Sequence, residues 1–107
     1  MNLEVNTFYL GSDKDAALKP LEEAAEVFAA WQRLEEAQIE YGYVGTDGDY
    51  SNEFEAFSLY EFGRRSLAYE IADCLTALCN LAARFGLDMQ ESVVEVERRN
   101  RERGRYD

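Results

Sequence analysis

Two alanine-rich segments carry the same acidic spacing, Glu23-x-x-Glu26 and Glu70-x-x-Asp73, and this repetition constrains the fold more than any other feature of the chain. Residues three apart share one face of an α-helix, so each pair points two carboxylates from a single helix edge. Two such helices laid side by side gather four carboxylates. These repel one another unless a divalent cation or a shared proton offsets their charge. The spacing therefore predicts paired helices and, between them, a site for a hard metal ion.

The helical wheel gives each acidic pair the same surroundings. At about 100° per residue, Glu23 and Glu26 border an edge with Ala30, beside an apolar arc of Val27, Trp31, Ala24, Phe28 and Leu21. Glu70 and Asp73 share an edge with Ala77 and Asn80, next to Cys74, Leu78, Leu81, Ile71, Leu75 and Phe85. The acids are expected to flank the core face, and the small alanines leave room above them. Solvated edge charges are the plainer explanation of one such pair; two matched pairs favour a site.

The chain of 107 residues has the length of one domain. Asp and Glu outnumber Lys and Arg by 22 to 11, a formal charge of -11, which disfavours a duplex nucleic-acid binder because phosphates need clustered cations. Histidine is absent. Ser-His-Asp triads, Cys-His nucleophiles and histidine-ligated zinc or di-iron sites are thereby excluded from this chain alone. Oxygen-only ligation points to magnesium, with manganese as the alternative ion. Cys74 and Cys79 are expected as core thiols. No basic region followed by an apolar run opens the sequence, and no stretch reaches membrane-spanning length, so a soluble cytoplasmic protein without membrane contact is expected.

Along the chain, residues 1–18 read as an irregular lead. A helix is expected from about Lys19-Pro20, where proline suits a first turn, to Tyr41, with Gly42 and Gly45 ending it. Residues 42–52 read as a loop and residues 53–62 as a short aromatic helix. Gly63 is expected to break the chain before a long helix that ends at Gly86, and Asp88 with Glu91 to cap a last helix striped by Met89, Val93 and Val96. The architecture expected is all-α: an incomplete helical bundle, completed by a second copy.

The run Lys19-Pro-Leu-Glu-Glu-Ala-Ala-Glu26, the later Glu70-Ile-Ala-Asp73 and the closing Arg99-Asn100-Arg-Glu-Arg-Gly104-Arg resemble the MazG-like, all-α nucleoside triphosphate pyrophosphohydrolases, whose signature is ExxE followed by ExxD. The matching segments lie in the right order over residues 19–105. The resemblance implies a protein that binds Mg2+ and hydrolyses a nucleoside triphosphate to the monophosphate and pyrophosphate; the modest core for this length separately leads to the expectation of a homodimer or homotetramer. The resemblance also implies Glu23, Glu26, Glu70 and Asp73 as metal ligands, and it matches Glu22 to the extra acid that many members carry. The interval between Glu26 and Glu70 is longer than the family's, and residues 42–62 are the expected insertion, serving as a lid, a base pocket or a dimer contact.

Glu22 is a candidate to hold a second metal or to activate water, or else a favourable charge in a first turn. Lys19, Arg99, Asn100 and Arg103 are candidate substrate contacts, the arginines for the pyrophosphate leaving group; cations at a helix C-terminus are the plainer account of the latter. Asn80 is placed to contact ribose or phosphate. Trp31 reads as core first and as a stacking platform for a base second. The alternative function is a non-catalytic helical module that binds nucleotide or protein. A ferritin-like redox carboxylate site lacks the histidines it would need.

Overall fold

The computed structural model describes residues 3–47 and 50–106, with side chains described for residues 3–39 and 54–106. Among the described residues the fold is all-helical, with α1 (Asp13–Asp47), α2 (Tyr50–Arg84) and α3 (Met89–Glu102). α1 and α2 pair along their length, and α3 stands nearly free of both. The α1–α2 pair is antiparallel: Arg84 meets Asp13, Cys74 meets Pro20, and Gly63 meets Leu34.

Several boundaries differ from the sequence expectation. α1 begins six residues before Lys19, because Ser12 and Asp15 cap it reciprocally: the Asp15 N–H donates to Ser12 Oγ at 3.1 Å and the Ser12 N–H to Asp15 Oδ2 at 3.2 Å. Pro20 consequently lies inside the helix, where it removes the N–H that would bond to the Ala16 carbonyl. Gly42 and Gly45 do not end α1, which continues to Asp47, so residues 42–47 are helix rather than loop. Positions 48 and 49 lie outside the described residues. Residues 53–62 are helical but belong to α2, which runs through Gly63 without a break. A Cβ at Gly63 would stand 3.4 Å from the Leu34 Cα and 3.3 Å from its Cδ1, so the glycine serves close approach of the two backbones.

The C-terminal boundaries follow the expected chemistry. Gly86 has φ +62, and the Leu87 N–H reaches the Ala82 carbonyl while the Gly86 N–H reaches that of Ala83, a Schellman ending for α2. Asp88 caps α3 by accepting the Glu91 N–H at 3.0 Å. Gly104, φ +72, closes α3 in the same manner, with Arg105 bonding back to Asn100.

The packing reverses one expectation. On α1 the buried and half-buried positions include Ala16, Pro20, Glu23, Val27, Ala30, Leu34 and Ala37, spaced alternately by four and three. On α2 they include Ala56, Tyr60, Gly63, Leu67, Glu70, Cys74, Ala77, Leu81 and Arg84, with the same alternation. That is the 3.5-residue repeat of a coiled-coil seam. Glu23 and Glu70 sit in the seam itself, and small residues let the helices approach closely. The larger side chains are left outside: Leu21, Phe28 and Trp31 on α1, and Ile71, Leu78 and Phe85 on α2. Among the described residues the buried hydrophobic side chains are all alanines. Trp31 is therefore not core here; it lies 45% exposed against Phe28, with ring centroids 5.6 Å apart.

Turning about 100° per residue from the seam in an antiparallel pair, the two apolar arcs fall on one side of the pair. Lys19, Glu22, Glu26, Asp73, Thr76 and Asn80 fall on the other. The radius of gyration is 18.7 Å, against about 13 Å for a compact chain of this length. The accessible surface is 8443 Å², against roughly 6,100 Å² for a folded monomer of this mass. No helix among the described residues is long and apolar enough to cross a membrane.

Candidate functional site

The seam brings carboxylates of both helices together. Glu23 from α1 and Glu70 and Asp73 from α2 each offer an oxygen lying within 4.8 Å of the others. Glu23 and Glu70 are half-buried and Asp73 is exposed. Two unit charges at 4.8 Å repel by about 0.9 kcal/mol in bulk water and about 3.5 kcal/mol at an effective dielectric of 20, so gathering three without a cation is unfavourable.

Lys19 supplies one such cation from within the chain. Its Nζ lies 3.2 Å from Glu23 and 3.7 Å from Glu22, one turn along α1. The Glu23 carboxylate, through its hydrogen bond and then its charge, raises the Lys19 pKa above the usual lysine range, and Glu22 adds to the effect. One ammonium cannot offset three carboxylates. The remaining charge and the all-oxygen donor set fit a hard divalent ion, whose ligand oxygens at about 2.1 Å would need only a small closing of the cluster.

Beside the acids lies a cavity of about 220 Å³ lined by Phe8, Lys19, Glu23, Asp73, Thr76, Ala77 and Asn80. Asn80 is only 4% exposed. Its Oδ1 accepts the Phe8 backbone N–H at 2.8 Å, while its Nδ2 is buried without a hydrogen-bond partner among the described residues. A buried amide N–H left unbonded is rare in folded proteins and calls for an explanation, a ligand, an ion or a water among them.

The irregular lead forms the outer wall of this region. Arg84, at the end of α2, donates to the Leu10 carbonyl at 2.7 Å, the Gly11 carbonyl at 2.8 Å and Asp13 Oδ1 at 2.5 Å, and stacks over the Tyr9 ring at 5.3 Å. The Asp13 carboxylate, by its hydrogen bond, raises the Arg84 pKa further above its usual value. These bonds span more than seventy residues of sequence, and with them Phe8 is held against Asn80.

The other sequence candidates stand elsewhere. Glu26 is exposed on the same side of α1 as Lys19, and its carboxylate is not part of the cluster. Glu22 is exposed and paired with Lys19. Trp31 does not line the acidic cavity, nor do Arg99, Asn100 or Arg103. Arg99 pairs with Glu95 at 3.2 Å, and Asn100 accepts from Arg105 and donates to the Tyr106 hydroxyl. Hydrogen bonds from Arg98, reinforced by Arg99, hold the Glu95 carboxyl down at about 2. Cys74 and Cys79 are free and half-buried, the former near the Pro20 carbonyl. Two residues of the cavity were not singled out from sequence. Thr76 follows Asp73 by one turn on the same edge, a legible position; Phe8 comes from a distant segment and leaves no local signal.

Comparison with known proteins supplies no relative to set beside this geometry: no family model matches the chain, and no match is found among curated proteins or solved structures.

Proposed function

We propose that the protein is a metal-dependent nucleoside triphosphate pyrophosphohydrolase of MazG-like type, releasing a nucleoside monophosphate and pyrophosphate. The observation that carries this reading is the convergence of Glu23, Glu70 and Asp73 from two helices beside a cavity whose buried amide lacks a partner. With Glu26, which lies outside the cluster, they have the order and spacing of the ExxE and ExxD signature.

In this reading Glu23, Glu70 and Asp73 would hold Mg2+ or Mn2+, and Glu26, exposed on the same side of α1 and outside the cluster, would have to turn inward to serve as a fourth ligand. Such an ion, when bound, supplies Lewis acidity toward a phosphoryl oxygen and offsets the charge of the triphosphate. The chain's own groups do the rest. Lys19 meets phosphate charge at the cavity wall. Glu22, free to exchange its Lys19 contact, accepts a proton from the attacking water. Arg99, Asn100 and Arg103 stand away from the acids of their own protomer, so they act on the leaving pyrophosphate across an oligomer.

A second copy also accounts for the surface. The protomer exposes some 2,300 Å² more than a compact monomer of its mass, with Leu21, Phe28, Ile71, Leu78 and Phe85 on one side. Covering that side in a symmetric dimer gives an interface in the obligate size class. The acidic side is left open to substrate.

The test is turnover by Glu70→Gln and Asp73→Asn. Both variants should keep their helicity and lose Mg2+-dependent release of pyrophosphate. Undiminished activity in both would overturn the assignment.

A further inference from the structure

Asn80 carries more information than a missing bond. The Phe8 N–H, a donor only, fixes the carbonyl end of the Asn80 amide at 2.8 Å and so settles which way the amide faces. The unpartnered end of Asn80 is its Nδ2, a pair of donors, on a side chain that lies between the acidic cavity and a neighbouring one bounded by Leu10, Ala16 and Arg84. A group that bonds to this Nδ2 must present an acceptor.

Position decides which part of a nucleotide that is. Asn80 lies seven residues beyond Asp73 on α2, about 10.5 Å along the helix axis. A phosphate held through an ion at Glu70 and Asp73 is anchored within a few ångströms of those carboxylates. The part of the ligand that meets Asn80 therefore lies beyond that phosphate, toward the nucleoside. Phe8, 60% exposed and lining the same cavity, places an aromatic residue where a flat ring would pass.

We propose that Asn80 reads the base of the bound nucleotide by donating from Nδ2 to a ring carbonyl oxygen. The site then selects keto bases, such as uracil or hypoxanthine, over cytosine or adenine, which carry an amino donor at the corresponding position. The backbone of the lead segment is the positioning element, because its Phe8 N–H denies Asn80 the flipped orientation that would accept from an amino group. This rests on the nucleotide reading above and adds the substrate class to it.

The experiment measures binding of non-hydrolysable α,β-imido triphosphates in two matched pairs, uridine against cytidine and inosine against adenosine, with Mg2+. Wild-type protein should bind the keto member of each pair about tenfold or more tightly. Asn80→Asp keeps an acceptor for Phe8 and turns the second position from donor to acceptor, so the preference should vanish or reverse. Asn80→Ala should lose the preference without reversing it. If either variant fails to fold, the wild-type side-chain amide resonance of Asn80, assigned through its proximity to the Phe8 amide, gives the same answer: it should shift with the uridine analogue far more than with the cytidine analogue. Equal weakening for all four ligands in Asn80→Asp would put the contact on sugar or phosphate and overturn the base assignment. An unchanged preference in the variants, or none in wild type, would overturn it as well. Absence of binding by every nucleotide in the presence of Mg2+ would instead sink the nucleotide reading itself, and the base assignment with it.

Discussion

Leu78→Glu separates a protomer that is complete from one that needs a second copy. Leu78 is 50% exposed, midway along an outward stripe with Ile71 and Phe85 at seven-residue spacing. Glutamate has a helix propensity close to that of leucine, so α2 itself should tolerate the change. In an isolated protomer the loss is the remaining half of a leucine's burial, about 1 kcal/mol. In a symmetric dimer closed through this face, each interface carries the substitution twice. An uncompensated buried carboxylate costs about 3–5 kcal/mol, hence roughly 6–10 kcal/mol for the pair. That is a weakening of about four to seven orders of magnitude in the dissociation constant, enough to separate the copies at any working concentration. Sedimentation equilibrium should find wild type at twice or more the 12.3 kDa of the chain, and the variant as a monomer with reduced cooperativity of unfolding. The unfolded chain would expose about 17,800 Å², so the lone protomer buries only about half of it, less than even a 60-residue domain typically does. A wild-type protein that stays monomeric, fully helical and cooperatively folded at micromolar concentration would refute the reasoning.

Other perturbations test separate parts of the account. Gly63→Leu should destabilise α1–α2 pairing by about 1–3 kcal/mol in denaturant melts, because Leu34 leaves no room for a side chain, whereas Gly63→Ala should be milder, offset by its helix propensity. Gly86→Ala should cost about 1 kcal/mol through strain at positive φ alone, since nothing crowds a Cβ there; an unaltered melting midpoint would contradict this. Glu95, lowered to about 2 from 4.5, contributes to α3 above about pH 4.5 and progressively less as pH falls through 2, so acid titration by circular dichroism should show a helicity loss in that window that Glu95→Gln lacks. Lys19→Met should tighten Mn2+ binding, by removing a charge that competes for Glu23, yet weaken nucleotide binding; both affinities moving together would argue against its place at the phosphates.

The acidic design was legible because helix periodicity is local. Glu23 with Ala30, and Glu70 with Ala77 and Asn80, share their edges in the fold as the wheel predicts. The Schellman ending at Gly86 and the Asp88 cap were legible for the same reason. Four features were not. Gly63 has the composition of a break, but its role is set by Leu34 across the pair. Pro20 suggested a first turn, but the start of α1 is fixed by the reciprocal bonds of Ser12 and Asp15 upstream. The core of the protomer lies off the apolar arcs, because such arcs point to whatever covers them, and here the α1–α2 seam mixes alanines and two glutamates with a few larger residues while Leu21, Phe28 and Leu78 face outward. Phe8 at Asn80 depends on a contact across 72 residues, which no local pattern encodes.

The central claim is that Glu23, Glu70 and Asp73 gather a divalent ion to cleave a nucleotide between its α and β phosphates. It is tested most directly by following a panel of nucleoside triphosphates by 31P NMR with the protein and Mg2+, before and after adding chelator. The account predicts monophosphate and pyrophosphate from at least one substrate, stopped by the chelator and missing with Asp73→Asn. Diphosphate and orthophosphate as products, cleavage that survives chelation, or no cleavage of any substrate by folded, Mg2+-supplied protein would contradict it.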